Sequence, residues 1–220
     1  TFFFFTLNDS NNLKREILKL YPNSKIAVIG CGLVGTELIG TLIDKDKFDI
    51  IAIDALKRPL ITFNEKLINI IYDIWKKEKV KMYMNSIVTK INKNTIELKN
   101  KDTIDFDLAI WCGGIRMTNL SKKVNKLLNL DCNKGIPVNN FMQVKNQEKI
   151  FAIGDCAYSG LPPTAQVAYQ EGIYLAKNFN KSFEKKENFY FDNKGQIGYI
   201  GKGQSIYDSH YIKGGGKVMG

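Results

Sequence analysis

At 220 residues the chain is long enough to bury a sizeable core in one or two domains. Its net charge of +10 would suit a nucleic-acid or anionic-membrane partner. However, the lysines are scattered with asparagines through loops such as Asn92-Lys93-Asn94, which reads as compositional bias, and no array of arginine and aromatic residues marks a nucleic-acid groove. A single histidine, His210, excludes a multi-histidine metal site and argues against a Ser-His-Asp triad. The four cysteines, Cys31, Cys112, Cys132 and Cys156, lie far apart with no C-x-x-C pair, so reduced thiols in a cell interior are expected. No apolar run reaches the roughly 18 residues of a membrane span. The chain starts Thr-Phe-Phe-Phe-Phe, without Met or a signal-peptide layout, which reads as a cut through a longer protein.

In chain order, Leu13, Ile17 and Leu20 fall at helical spacing over 7–20, with Asn8, Asp9 or Ser10 as cap. Lys25-Ile-Ala-Val-Ile follows, a strand without polar alternation, as expected for one buried on both faces in a parallel sheet. It runs into Gly30-Cys-Gly32-Leu-Val-Gly35-Thr-Glu37 and a helix to about Ile43. A second apolar strand, Asp49-Ile-Ile-Ala-Ile, ends on Asp54.

This is the βαβ dinucleotide fingerprint. Gly30 makes the tight turn, Gly32 lets the backbone approach a pyrophosphate, and Gly35 lets helix pack on strand. The helix start offers N–H groups and a partial positive charge to phosphates. Asp54 sits about 20 residues further on, where a carboxylate takes the ribose hydroxyls. It would repel a 2′-phosphate, so NADH is expected over NADPH, although Arg58 nearby weighs the other way.

Next, 64–79 reads as an amphipathic helix with Leu67, Ile70, Ile71, Ile74 and Trp75 inward, followed by a strand over 80–84. Strands at 87–91 and 95–98 form a hairpin around Asn92-Lys93-Asn94, and 106–111 is a buried strand stopping at Gly113-Gly114. The fold class is therefore α/β, a Rossmann-type domain of parallel sheet plus β-meander over 23–115. Beyond it, 120–128 is weakly helical, 135–138 extended and 151–153 a strand. Pro162-Pro163 opens a helix reaching about Asn180. After Lys181 come a charged linker, short strands at 189–191 and 196–200, and a tail without structure at Gly214-Gly-Gly.

On the helix after Pro163, Ala165, Ala168, Gly172 and Ala176 share one side, and Gln166 and Gln170 sit one turn apart beside them. Gly154 permits close approach at the preceding strand end and Asp155 offers a carboxylate. A redox ring across this helix start would be stabilised in its reduced, anionic form. Cys112 and Cys156 read as small buried fillers, and Tyr169 as packing.

The run Phe151-Ala-Ile-Gly-Asp-Cys-Ala with Pro162-Pro-Thr-Ala-Gln-Val-Ala-Tyr-Gln resembles the flavin-and-quinone segment of type II, alternative, non-proton-pumping NADH:quinone oxidoreductases. These are flavoproteins of the pyridine nucleotide-disulfide oxidoreductase superfamily. The resemblance implies that Asp155, after Gly154, holds the flavin ribityl chain of FAD. It implies that the helix start at Thr164 and Ala165 faces the flavin, and that Gln166 and Gln170 line the quinone site. Gly30 to Glu37 is similar to the family's second, NADH-binding motif, with Glu37 near the nicotinamide–flavin contact. Trp111-Cys-Gly113-Gly-Ile-Arg is similar to the strand end entering the NADH cleft, and Gly198-Tyr-Ile-Gly to a strand after the quinone helix.

On this resemblance, 1–22 is a connecting helix from a FAD domain, 116–182 the C-terminal part of that domain, and 183–220 short strands and a disordered tail. The glycine motif that grips the ADP half of FAD, and the terminal amphipathic helices that touch the membrane, are not in this sequence. The implied function is hydride transfer from NADH to FAD and then two electrons to a quinone. The implied setting is a homodimer, peripheral on the mitochondrial inner membrane or a bacterial plasma membrane. Two alternatives stand beside it: another FAD-dependent NAD(P)H or sulfide:quinone oxidoreductase, whose paired cysteines are not seen, and a truncated NADH-binding module without activity.

Overall fold

The computed structural model describes residues 1–3, 6–181, 187–210 and 212–217. The charged linker expected after Lys181 lies largely outside them. The chain forms two compact units, Thr1–Gly114 with Lys194–Gly220, and Ile115–Asn193.

In the first unit the chain order is β1 (Phe2–Phe3), α1 (Leu7–Lys19), β2 (Lys25–Ile29), α2 (Leu33–Asp44), β3 (Asp49–Ile53), α3 (Glu65–Lys77), β4 (Lys81–Tyr83), β5 (Val88–Ile91), β6 (Thr95–Leu98), β7 (Thr103–Asp105) and β8 (Leu108–Trp111). Five strands make one sheet in the order β1-β8-β2-β3-β4, every pair parallel. The unbroken apolar runs have a direct explanation. Ile26 and Val28 of β2, with Ile50 and Ala52 of β3, join the core that holds Ile39, Ile71 and Trp75 from the helices. Ala27, Ile29, Ile51 and Ile53 point to the opposite face, against Ile96, Leu98, Ile104 and Phe106 from the antiparallel β5-β6-β7 meander. Both faces are covered, so neither carries polar side chains.

The helices start where local chemistry satisfies their first N–H groups. α1 is capped by Thr6, not by Asn8, Asp9 or Ser10. The Thr6 hydroxyl accepts the Asp9 N–H at 3.1 Å and the Asp9 carboxylate accepts the Thr6 N–H at 2.9 Å, a reciprocal pair that satisfies two donors at once. Asn64 caps α3 through the Lys66 N–H. In α3 it is Ile68 that is buried with Leu67, Ile71, Ile74 and Trp75, while Ile70 is half-buried.

The first unit is completed by the end of the chain: β11 (Gln196–Gly201), β12 (Gln204–Asp208) and β13 (Lys213–Gly216), an antiparallel sheet in that order. The expectation of a tail without structure at Gly214-Gly-Gly is corrected here. Gly214, Gly215 and Gly216 pair with Tyr207, Ile206 and Ser205, and a side chain on Gly215 would strike Ile70 and Ile206. Glycine is thus needed for close packing at a position where composition alone suggested disorder. Strand β11 lies on α2. A Cβ on Gly40 would come within 2.7 Å of the Gly201 nitrogen, so the mid-helix glycine exists to admit the strand. Asp44 closes the contact by accepting the Tyr199 hydroxyl and the Lys202 N–H, both at 2.6 Å.

The second unit contains α4 (Asn119–Leu127), β9 (Ile136–Pro137), β10 (Ala157–Tyr158) and α5 (Ala165–Asn178). Two expected strands are absent. Residues 151–153 make only a bridge from Phe151 to Gln143 before a single 3₁₀ turn at Gly154–Cys156. Residues 189–191 form no strand, because the main chain there is engaged inside this unit: Phe189 N–H donates to the Asn140 carbonyl and Asp192 to the Gln170 side chain. The helix after the prolines starts later than Pro163. Thr164 is its cap, accepting the Val167 N–H, and the two prolines precede it.

Candidate functional site

The glycine turn is built as its spacing implies. Gly30 has φ +96°, and a Cβ there would meet the Gly113 backbone at 2.7 Å. The turn therefore closes directly onto the end of β8, which glycine at position 30 allows. At Gly35 a Cβ would overlap the Gly30 carbonyl oxygen, so α2 packs on the turn it leaves. Gly32 differs from both. It caps α2 in an extended conformation with no side chain to fold back on the helix, and nothing lies within 4 Å of where its Cβ would be. That open space at a helix start is the shape an anion requires.

Between the first two glycines, the Cys31 peptide is held from both sides. Its N–H donates to Asp54 Oδ2 at 2.5 Å, and its carbonyl accepts the Leu60 N–H at 2.9 Å and the Thr36 hydroxyl at 3.1 Å. The second Asp54 oxygen accepts the Leu56 N–H at 2.7 Å. Each carboxylate oxygen has two lone pairs, so these bonds fix the side chain and leave acceptor capacity for hydroxyls. Arg58 is engaged by main-chain carbonyls of its own loop. Its guanidinium donates to the carbonyls of Leu60, Ile61 and Phe63 at 3.3, 3.1 and 3.1 Å and stitches the loop after Asp54.

Gly30, Gly32, Asp54, Leu56, Trp111 and Gly113 are among the residues that line one cavity of about 350 Å³. Among the described residues no three His, Cys, Asp or Glu could hold a metal ion. Glu37 is not among the cavity lining. It is half-buried on α2, where burial raises its pKa and a hydrogen bond from the Tyr199 backbone partly opposes the rise. Burial also raises the Cys31 pKa, with Asp54 adding to it, and pushes Cys112 up to about 12.

In the second unit, Gly154 sits at φ +68° with Ala168 of α5 beside it. Asp155 is exposed, as are Thr164 and Ala165 at the start of α5. Gln166 and Gln170 are half-buried one turn apart, but the Gln170 carboxamide is engaged by the Asp192 backbone at 2.8 and 2.9 Å. Two expectations about packing are corrected. Cys156 is exposed rather than a buried filler, and Tyr169 is 70% exposed rather than packed. Glu171, which sequence reasoning passed over, is 1% exposed. Its carboxylate accepts the Gly154 N–H at 2.6 Å and the Ser159 hydroxyl at 3.1 Å, tying α5 to the Gly-Asp turn. The available signal was its place one turn after buried Val167, on the inward line of the helix.

Residues 1–172 match the pyridine nucleotide-disulphide oxidoreductase family. The chain belongs to that family. A probable mitochondrial NADH-ubiquinone oxidoreductase of Schizosaccharomyces pombe is 32% identical, over 79% of this chain and 36% of the relative. A probable NADH dehydrogenase of Dictyostelium discoideum is 30% identical, over 94% of this chain and 49% of the relative. A type II NADH:quinone oxidoreductase of Haemophilus influenzae is 29% identical, over 81% and 46%. The chain thus spans half or less of the length of these relatives. The fold is that of NDH2 from Plasmodium falciparum, solved in complex with NADH, with a TM-score of 0.84 at 19% identity over 98% of this chain and 66% of that one. Family membership and fold agree with the α/β architecture described above.

Proposed function

We propose that this chain is the NADH-binding core, with part of the flavin- and quinone-facing region, of a type II NADH:quinone oxidoreductase that passes electrons without pumping protons. The observation that carries the reading is the open position over Gly32, at the start of α2, in the same cavity as the pinned Asp54 carboxylate. Gly32 and the first turn of α2 would take the pyrophosphate of NADH. Asp54 would accept its ribose hydroxyls, and Gly113 would keep the cleft open at the end of β8. The acidic Asp54 and the engaged Arg58 favour NADH over NADPH. Glu37, whose raised pKa favours the protonated form, would orient the nicotinamide end or hold a proton there.

The residues of the second unit fit the flavin end of FAD. Asp155 follows a glycine at positive φ and is exposed, and the exposed start of α5 at Thr164 and Ala165 presents a helix N-terminus to a planar ring. FAD bound there would supply the two-electron relay between NADH and quinone. Gln166 and Gln170 belong to the quinone side. Peripheral attachment to the mitochondrial inner membrane, or to a bacterial plasma membrane, and a homodimeric whole protein complete the proposal. The mitochondrial names of the Schizosaccharomyces relatives support that location. Among the described residues no helix is long and apolar enough to cross a membrane.

The test is NADH oxidation by the FAD-loaded chain with and without a short-chain ubiquinone. Oxidation that requires the quinone supports the proposal. NADH binding with no flavin uptake and no oxidation would reduce the chain to a binding module.

A further inference from the structure

We propose that Glu171 is a positioning residue for the flavin end of the cofactor: from the inner side of α5, its buried carboxylate sets the Gly154–Asp155 turn against the start of the same helix. The hold on the turn stands on geometry alone; its use by a flavin rests on the FAD reading above. Glu171 is 1% exposed. A carboxylate taken out of water costs free energy unless donors replace the water it loses. Two neutral donors do so here. Oε2 accepts the Gly154 N–H at 2.6 Å, and Oε1 accepts the Ser159 hydroxyl at 3.1 Å. One side chain therefore holds both ends of residues 154–159, the stretch in which Asp155 sits.

Position 171 lies on the inward line of α5 with buried Val167 and Asn178. An apolar side chain there would fill the space without the cost of a buried charge, but it would leave the Gly154 N–H without this acceptor. The turn itself lies close on the helix: a Cβ on Gly154, at φ +68°, would stand 3.4 Å from the Ala168 methyl. Glu171 fastens it one turn further along. Within the stretch, the Ala157 N–H donates to the Gly154 carbonyl, and Ala157 and Tyr158 pair with β9. Held in this way, exposed Asp155 keeps a fixed offset from exposed Thr164 and Ala165 at the helix start. Those are the features that the flavin reading assigns to the ribityl chain and to the ring. Loosening their spacing should weaken flavin binding, although a side chain as buried as Glu171 is not itself open to a ligand.

The test reads hydrogen exchange at the Gly154 amide and FAD binding by calorimetry, both on the full chain, in two variants that separate position from charge. Glu171→Gln loses the charge but keeps the reach: its carbonyl oxygen can accept the Gly154 N–H and its amide can donate to the Ser159 oxygen. Glu171→Asp keeps the charge but draws the oxygens back by one methylene. In Glu171→Asp the Gly154 amide should exchange about tenfold faster, the loss of one hydrogen bond, and FAD affinity should fall about tenfold. In Glu171→Gln Gly154 should stay protected and FAD affinity should stay within about threefold of the native value. Unchanged Gly154 exchange in Glu171→Asp overturns the hold on the turn. Faster exchange there with unchanged FAD affinity overturns the role toward the flavin. The reverse pattern, with FAD affinity lost in Glu171→Gln and kept in Glu171→Asp, makes charge the cause and overturns positioning. Absence of FAD binding in the native chain overturns the flavin reading itself, and the exchange result still decides whether Glu171 sets the turn.

Discussion

The Asp54 carboxylate accepts the main-chain N–H of Cys31 at 2.5 Å, tying the end of β3 to the middle of the glycine turn that follows β2. One acidic residue thereby sets the shape of the turn and presents the group that would read a ribose. Asp54→Asn places an amide donor or a weaker acceptor against the two backbone N–H groups it now satisfies. With only 8% of the residue exposed, the expected loss is about 1–3 kcal/mol of stability, read by urea unfolding. NADH affinity should fall by about tenfold or more, read by titration. An Asp54→Asn protein with parental stability and affinity would remove Asp54 from the site.

The two glycines flanking the start of α2 should respond differently to the same methyl group. Gly35→Ala drives a Cβ into the Gly30 carbonyl. That overlap is between backbone atoms, so α2 must shift as a body, and a cost of several times about 1 kcal/mol is expected. Thermal unfolding of Gly35→Ala should show a clear drop; a parental melting temperature would contradict this packing.

Glu37 gives a pH-dependent expectation. Burial raises its pKa above the ordinary 4.5, so the native state holds the proton to higher pH than the unfolded chain does. Its contribution to stability is fully present below the unfolded value and is lost as pH rises through the higher folded value. Glu37→Gln carries no such titration. It should raise the melting temperature near neutral pH and leave it little changed at pH below about 4. Equal effects at both pH values would show that the carboxyl is not strained by burial.

Much of this architecture is legible in the sequence because it is local. The strand, glycine turn and helix from Lys25 to Asp44, and the acid at Asp54, follow from spacing and from residues with one structural use. What escaped reading depends on partners distant in the chain. Gly40 costs helix stability and so signals a close neighbour, but nothing nearby names Gly201, 161 residues later by their numbers. Gly214-Gly-Gly looks like disorder until β12 lies beside it. Residues 189–191 read as strand, but they form none: the Phe189 N–H goes to the Asn140 carbonyl, and the next residue, Asp192, pairs with the Gln170 carboxamide. Glu171 lies on the inward line of its helix, but the partner that justifies burying a carboxylate there, the Gly154 N–H, is 17 residues away.

The cysteines separate by environment. Cys31 is fully buried with its pKa raised, and Cys112 is pushed up to about 12 by burial, so both stay as thiols at pH 8 and react slowly. Cys156 is exposed. Alkylation of the native protein, followed by mass spectrometry, should mark Cys156 before half-buried Cys112, and Cys31 only on unfolding. Early labelling of Cys112 would contradict its placement.

The claim that this chain holds a dinucleotide over Gly32 is tested most directly by titrating NADH into the native protein and Gly32→Ala while following tryptophan emission. Trp111 lines the cavity, and the only other tryptophan, Trp75, is fully buried in the core. Gly32 has φ −67° and open space around it, so alanine should fold with an unchanged melting temperature while its methyl group stands where the pyrophosphate would lie. The expected result is saturable quenching in the native protein and an affinity at least about tenfold weaker in Gly32→Ala. Equal affinity in the two proteins, or no quenching in either, would contradict the site.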